Sequence, residues 1–317
     1  MQAHLRVRRF DPEEPAPQPR YQDYTVEAED YFTVLDALIK IREEEDGTLA
    51  VRCSCRSSVC GSCAMRINGH ATLACKTKLT DASKGRDVVL VEPMGNMPVV
   101  KDLVTDLQSF WDKVWAVEPF LQPQGPVPEQ EYLASNESMV HLTGVMNCIM
   151  CGACVSDCTV LAVDPNFLAP AALAKAYRFV ADPRDGASKE RLRALSQYGG
   201  IWDCTRCLEC VQVCPKDVAP MDRIMTLRDK AMQAGYTSTY GARHTIAFSE
   251  LLKESGRLDE LRLPVMTFGI FNLPRMLSLV PVGLRALVRG KMPPIFHRAI
   301  PGVEHIRRSF RSAEAKR

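Results

Sequence analysis

Cys148-Ile149-Met150-Cys151-Gly152-Ala153-Cys154-Val155-Ser156-Asp157-Cys158 is a C-x2-C-x2-C-x3-C run, and Cys204-Thr205-Arg206-Cys207-Leu208-Glu209-Cys210-Val211-Gln212-Val213-Cys214-Pro215 repeats it. Two such runs in one chain are the spacing of bacterial two-cluster ferredoxins, in which the fourth cysteine of each run ligates the other run's cluster. Applied here, one [4Fe–4S] cluster takes Cys148, Cys151, Cys154 and Cys214. The other takes Cys158, Cys204, Cys207 and Cys210. Soft thiolates suit iron, and crossed ligation draws two clusters close, as electron transfer requires. Zinc would also accept four thiolates, but the third cysteine and the crossed fourth fit iron–sulfur ligation better than paired zinc knuckles.

Upstream, Cys55-Arg56-Ser57-Ser58-Val59-Cys60-Gly61-Ser62-Cys63, followed by Cys75, gives C-x4-C-x2-C…C, the plant-type [2Fe–2S] spacing. Gly61 permits a positive φ and close backbone approach in such a loop, and its N–H groups can donate to cluster sulfurs. Three sets of four leave one of the 13 cysteines, Cys53, which reads as a free thiol because the x4 spacing selects Cys55. His70, between Cys63 and Cys75, reads as a surface-loop residue. The other histidines are scattered at 4, 141, 244, 297 and 305, and no Cys-x-His pair supports a Rieske centre.

The 317 residues are 46% hydrophobic and 25% charged, which excludes wholesale disorder. A net charge of +2 gives no support to a nucleic-acid partner. MQAHLRVRRFDPEE offers no apolar signal-peptide core, and the odd cysteine count with Cys-x-x-Cys spacing argues against a secreted disulfide scaffold. No uninterrupted apolar run reaches the roughly 18 residues that a membrane span needs. No G-x-G-x-x-G after a strand, Walker A or G-x-S-x-G motif occurs. No substrate site is therefore expected on this chain alone; it should relay electrons for chemistry done elsewhere.

The grouping of the cysteines, none of which lies after Cys214, suggests three segments: 1–108, 109–235 and 236–317. In the first, residues 5–10, 23–28 and 86–93 read as strands. Residues 33–45 read as a helix opened by Thr33, with Asp36 completing a capping box, so the segment is α+β. Apolar spacing predicts a helix over 101–117. Residues 118–130 hold four prolines and read as a linker. Short helices surround the later cysteine runs, the clearest at 171–182 and 189–200. The last segment is apolar but broken by Pro264, Pro274, Pro281 and Arg275, and residues 285–317 carry nine Lys/Arg against two Glu. Two readings stay open for it: an amphipathic membrane-surface element or a helical arm on a partner subunit.

The stretches 33–41 (TVLDALIKI), 54–75 (SCRSSVCGSCAMRINGHATLAC) and 91–107 (VEPMGNMPVVKDLVTDL), with both later cysteine runs, resemble the iron–sulfur subunit of succinate dehydrogenase and fumarate reductase over residues 3–235. The resemblance implies an N-terminal β-grasp [2Fe–2S] ferredoxin domain, then an all-α helical ferredoxin domain with a helical C-terminal extension. It implies an FAD-containing flavoprotein partner, a membrane-anchor subunit and quinone. Electrons would run from succinate through three clusters toward quinone, a step of the tricarboxylic acid cycle, or in reverse as a fumarate reductase with a quinol or thiol donor. The complex would sit peripherally on the cytoplasmic side of the cell membrane.

Three positions depart from the usual family pattern. Cys207 stands where the family lacks a cysteine and holds [3Fe–4S], so a second [4Fe–4S] is expected here, with [3Fe–4S] as the alternative. Thr159 and Thr205 replace a proline and a histidine usual near the quinone pocket. The stretches 244–260 and 286–310 resemble the tail of the heterodisulfide reductase C subunit, which implies an anchor like the cysteine-rich heterodisulfide reductase B subunit.

Overall fold

The computed structural model describes residues 1–294 and 298–315. His297 and the centre of the 286–310 stretch lie outside the described residues, as do two of the nine C-terminal cations, Lys316 and Arg317. The chain divides into two compact units, Met1–Lys230 and Ala231–Arg317.

The first unit begins with β1 (Gln2–Arg9) and β2 (Arg20–Glu27), whose alternating burial turns Ala3, Leu5, Val7, Tyr24 and Val26 inward. Helix α1 (Val34–Lys40) starts at Thr33, whose hydroxyl accepts from the Asp36 N–H while the Asp36 carboxylate accepts from the Thr33 N–H, the expected capping box. A single π-helical turn, Ile41–Glu45, continues it. Then come β3 (Ala64–Ile67), β4 (His70–Leu73), α2 (Leu79–Ser83) and β5 (Val89–Glu92). The sheet order is β2-β1-β5-β3-β4, with β1 and β5 parallel and the other pairs antiparallel. This is a β-grasp arrangement. Val34, Leu35 and Leu38 of α1 and Leu5, Val7, Leu73 and Val91 of the sheet are fully buried.

The β3–β4 hairpin was not among the sequence expectations. Its signal is Asn68-Gly69, both residues at positive φ (51° and 87°), as a type I′ turn requires.

The helix expected over 101–117 forms only from Gln108. Residues before it make a short ribbon of β6 (Val99–Lys101) and β7 (Val104–Thr105), and α3 spans Gln108–Trp115. The physical reason lies in Asp102. It sits at φ 47°, and its buried carboxylate accepts from the N–H groups of Phe10 and Ala50 and from Arg9 Nε. Arg9 also donates to Asp46, Gln22, Thr48 and the Tyr24 hydroxyl. Tertiary partners thus outweigh the helical periodicity.

The Pro-rich segment that follows has no regular structure but is pinned. Buried Arg191 donates to the carbonyls of Val117, Glu118 and Phe120 at 2.8–3.0 Å and pairs with Asp185 at 3.1 Å. Next come α4 (Asn136–Val140), α5 (Thr143–Met146), α6 (Ala153–Ser156), α7 (Ala169–Val180), α8 (Ser188–Leu195), α9 (Glu209–Gln212) and α10 (Pro220–Gln233). Helix α7 is buried along most of its length, from Ala169 to Val180.

The second unit holds α11 (Tyr240–Ser255), α12 (Arg262–Phe268), α13 (Leu273–Ser278), α14 (Val280–Val288) and α15 (Val303–Glu314). Helix α15 is tied to α11: Arg307 donates to the carbonyls of Lys253 and Glu254, and Lys253 pairs with Glu314 at 2.7 Å. No helix among the described residues is long and apolar enough to cross a membrane.

Candidate metal centres

None of the 13 cysteines forms a disulfide. Three members of the first set, Cys55, Cys60 and Cys63, lie in the loop between α1 and β3, and Cys75 follows β4. The loop backbone turns through the left-handed region at Arg56, Ser58 and Gly61, which aims successive N–H groups at one point. The N–H groups of Ser57, Val59 and Cys60 all lie 3.3 Å from Cys55 Sγ, and that of Ser58 lies 3.3 Å from Cys75 Sγ. Cys60 meets the Ser62 hydroxyl at 3.0 Å. This hydrogen bond, with backbone donors, holds its thiol down to about 6. Burial, reinforced by Cys75 and Cys60 nearby, pushes Cys63 up to about 12. The four cysteines named from the spacing therefore stand together. Cys53 is half-buried in the same loop, and His70 is exposed at the start of β4.

The second and third sets are built by one device used twice. In the 148–158 run, positive φ falls at Met150 and Gly152; in the 204–214 run it falls at Arg206 and Leu208, the same offsets from the first cysteine. The second left-handed residue of each run, Gly152 or Leu208, then opens a four-residue helix, α6 or α9, that carries the third cysteine. Glycine adopts this conformation freely, whereas Leu208 does so against its Cβ.

The fourth cysteines cross over. Cys148, Cys151, Cys154 and Cys214 line one pocket, walled otherwise by Ile149, Ala171, Ala174, Pro215, Val218 and their neighbours. Burial raises the Cys151 thiol to about 11 and lifts Cys154 well above its ordinary value, with Cys148 and Cys214 as charged neighbours of both. Burial also raises Cys158 and takes Cys210 to about 12. The neighbours of Cys158 are Cys207 and Cys204, and those of Cys210 are Cys204, Cys207 and Cys158. Cys210 is in turn a neighbour of Cys154, so the two sets adjoin.

The donor chemistry fits iron–sulfur clusters. Each set is four thiols, without a carboxylate or imidazole among them, and burial makes lone thiolates costly at Cys63, Cys151, Cys154, Cys158 and Cys210, where metal-bound ones are not. Backbone donors already face Cys55, Cys75 and, from Val218 at 3.3 Å, Cys214. Among the described residues, no three His, Cys, Asp or Glu side chains converge as a single metal ion requires.

Several residues around the centres carried no signal in the sequence. A Cβ on Gly61 would lie 2.7 Å from Cys151 Cβ, so the first cysteine loop touches the second directly. Asp157 accepts from the Ala71 N–H at 2.8 Å and faces Arg66 at 3.5 Å; Asn96 Nδ2 donates to the carbonyls of Val155, Ser156 and Cys158. These bonds lock the β-grasp part onto the first ferredoxin run. Buried Arg228 of α10 donates to the carbonyls of Ile201, Trp202 and Cys204 at 2.7–2.9 Å, holding the approach to the second run and placing a cation beside it. Gly61 was legible as a site of close backbone approach, and Ser62 was findable because it lies between two ligand positions.

Comparison with known proteins agrees with this layout. The family described as a 2Fe-2S iron-sulfur cluster binding domain matches residues 4–112, and the 4Fe-4S dicluster domain matches residues 144–218. The chain is 32% identical to the 8-methylmenaquinol:fumarate reductase iron-sulfur subunit of Wolinella succinogenes, over 86% of this chain and 87% of that one. It is 40% identical to the fumarate reductase iron-sulfur subunit of Mycobacterium tuberculosis, over 69% and 89%. It is 36% identical to a mitochondrial succinate dehydrogenase [ubiquinone] iron-sulfur subunit of Oryza sativa, over 72% and 82%. Among solved structures, a chain of the Mycobacterium smegmatis Sdh1 complex in the apo form superposes with a TM-score of 0.67 at 28% identity, covering 74% of this chain and 97% of that one.

Proposed function

Because the chain belongs to the family of succinate dehydrogenase and fumarate reductase iron–sulfur subunits, and so is an electron-transfer subunit of an oxidoreductase, we propose that it links the FAD of a flavoprotein partner to quinone, with succinate as the electron source. The observation that carries this reading is the sorting of twelve cysteines into three adjoining sets of four. Cys55, Cys60, Cys63 and Cys75 hold [2Fe–2S]. Cys148, Cys151, Cys154 and Cys214 hold the first [4Fe–4S], and Cys158, Cys204, Cys207 and Cys210 hold a second. When bound, such clusters take up and release single electrons.

The chain's own residues do the rest. The Gly61–Cys151 contact keeps the first and second sets adjacent without an intervening side chain. Crossed ligation fixes the second set against the third. N–H groups facing Cys55, Cys75 and Cys214 stabilise negative charge on sulfur, and the apolar walls around Cys151 and Cys154 exclude water. Cys207 supplies a fourth thiolate to the third set, which favours retention of four irons.

The alternative direction, fumarate reduction, draws support from one observation. The Wolinella alignment covers 282 residues, more than the 230 of the first unit, so it extends into residues 231–317. From the resemblance of the 244–260 and 286–310 stretches we propose as well an anchor subunit of the heterodisulfide reductase B type, contacted by a tail resembling the C subunit. Attachment would be peripheral, on the cytoplasmic face of the membrane. The test is one experiment: isolate the complex anaerobically, add succinate, and follow the clusters by absorbance and EPR. Reduction by succinate supports the primary direction. No reduction by succinate, with rapid oxidation of the reduced clusters by fumarate, selects the alternative. An oxidised-state [3Fe–4S] EPR signal would overturn the assignment of Cys207.

A further inference from the structure

Helices α13 and α14 contain no buried residue. Their apolar side chains face outward: Leu273 is 66% exposed, Leu277 65%, Leu284 57%, Leu287 61% and Val288 86%, and Phe271 in the preceding turn is 95% exposed. A patch this continuous marks a surface that something else covers. On α14, Val280, Leu284, Leu287 and Val288 follow i, i+4, i+7, i+8 and so share one face, while Arg285 and Arg289 fall on the opposite side.

The charge pattern identifies the covering material. From Leu261 to Val303 there is no Asp or Glu, while Arg275, Arg285, Arg289, Lys291 and Arg298 are cationic; Arg262 is paired with Glu254. The complement of an apolar face bordered only by cations is a surface with an apolar interior and an anionic rim. An anionic bilayer has that organisation. The helices, of six and nine residues with Pro274 and Pro281 in their first turns, are far too short to cross it. They are suited to lie in its plane. We propose that α13, α14 and the Gly269–Asn272 turn form an in-plane anchor that binds an anionic phospholipid surface directly. This reading does not depend on which clusters the first unit holds.

The test uses the full chain and vesicle flotation. Vesicles of phosphatidylcholine with 30% phosphatidylglycerol are compared with pure phosphatidylcholine. Binding should be at least tenfold tighter to the anionic vesicles and should weaken with salt. Arg285→Glu with Arg289→Glu should weaken it by a further tenfold or more, since each cation near the surface contributes a large part of one decade. Leu284→Ser with Leu287→Ser should abolish it. These side chains are exposed, so helicity by circular dichroism and iron content should be unchanged, which separates this test from that of the electron-transfer role. As an independent readout, Val288→Trp should shift its fluorescence to the blue on adding anionic vesicles. Equal or absent binding to both vesicle types overturns the proposal. So does binding that survives the serine variants, or protection of Val288→Trp from aqueous quencher by a protein subunit in detergent without lipid.

Discussion

Replacing Gly61 by alanine tests the contact on which adjacency of the first two centres rests. Two costs apply. The residue sits at φ +75°, where an L side chain costs about 1 kcal/mol. The new Cβ would lie 2.7 Å from Cys151 Cβ and 3.0 Å from its Cα. Unbonded carbons prefer about 3.5–4.0 Å, so the two loops must part by roughly 1 Å. Both partners are backbone or Cβ atoms, which cannot swing aside. Overpacking of that kind costs about 1–3 kcal/mol, for a total near 2–4 kcal/mol. Gly85 provides the control, because its φ is +70° but nothing lies within 4 Å of its would-be Cβ. Gly85→Ala should therefore show the conformational cost alone. Urea unfolding of the two variants, followed by circular dichroism under matched iron loading, gives the difference directly. Gly61→Ala should be the less stable by about 1–3 kcal/mol. Its first centre should also show an altered EPR line shape, as Cys60 and Ser62 flank the displaced residue. Equal stabilities would refute the direct contact between the cysteine loops.

Other substitutions probe the supporting structure. Arg191→Met leaves the buried Asp185 carboxylate with only the Gln122 and Ala187 N–H groups, frees the carbonyls of Val117, Glu118 and Phe120, and should cost about 3–5 kcal/mol in urea unfolding. Asp46 is held below the usual carboxylate range by the Thr48 hydroxyl, Tyr24 and Arg9, and Asp182 by Arg184 and Arg178. A depressed folded-state pKa gives stability that is present above the unfolded value near 4 and lost as pH falls below it. Asp46→Asn should therefore flatten the acid limb of stability against pH below about 4, measured by thermal melts. Arg228→Gln removes the cation beside Cys204 and should lower the potential of the third centre by tens of millivolts in an EPR-monitored titration, with the other two unmoved. Leu208→Gly should stabilise the second run by about 0.5–1 kcal/mol, because only glycine takes its φ of 70° without strain.

The cysteine spacings by themselves named the three sets of four cysteines that the fold brings together. A thiolate's role depends on a few residues of local chain, and C-x4-C-x2-C and C-x2-C-x2-C-x3-C leave little freedom in how the loops close. Alternation in β1 and β2 and the Thr33–Asp36 box were legible for the same reason, since their causes are local. The helix expected at 101–107 failed because Asp102 answers to Arg9, Phe10 and Ala50, about 50 and 90 residues away, and buried partners outweigh periodicity. The tertiary structure alone decided which loops touch. Gly61 against Cys151, Asp157 beneath the Ala71 N–H, and Arg228 capping the carbonyls before the second run each join residues that sequence distance keeps apart. It also decided which apolar residues of 270–288 stay outside the core, because composition records hydrophobicity but only packing records whether a partner within the chain covers it.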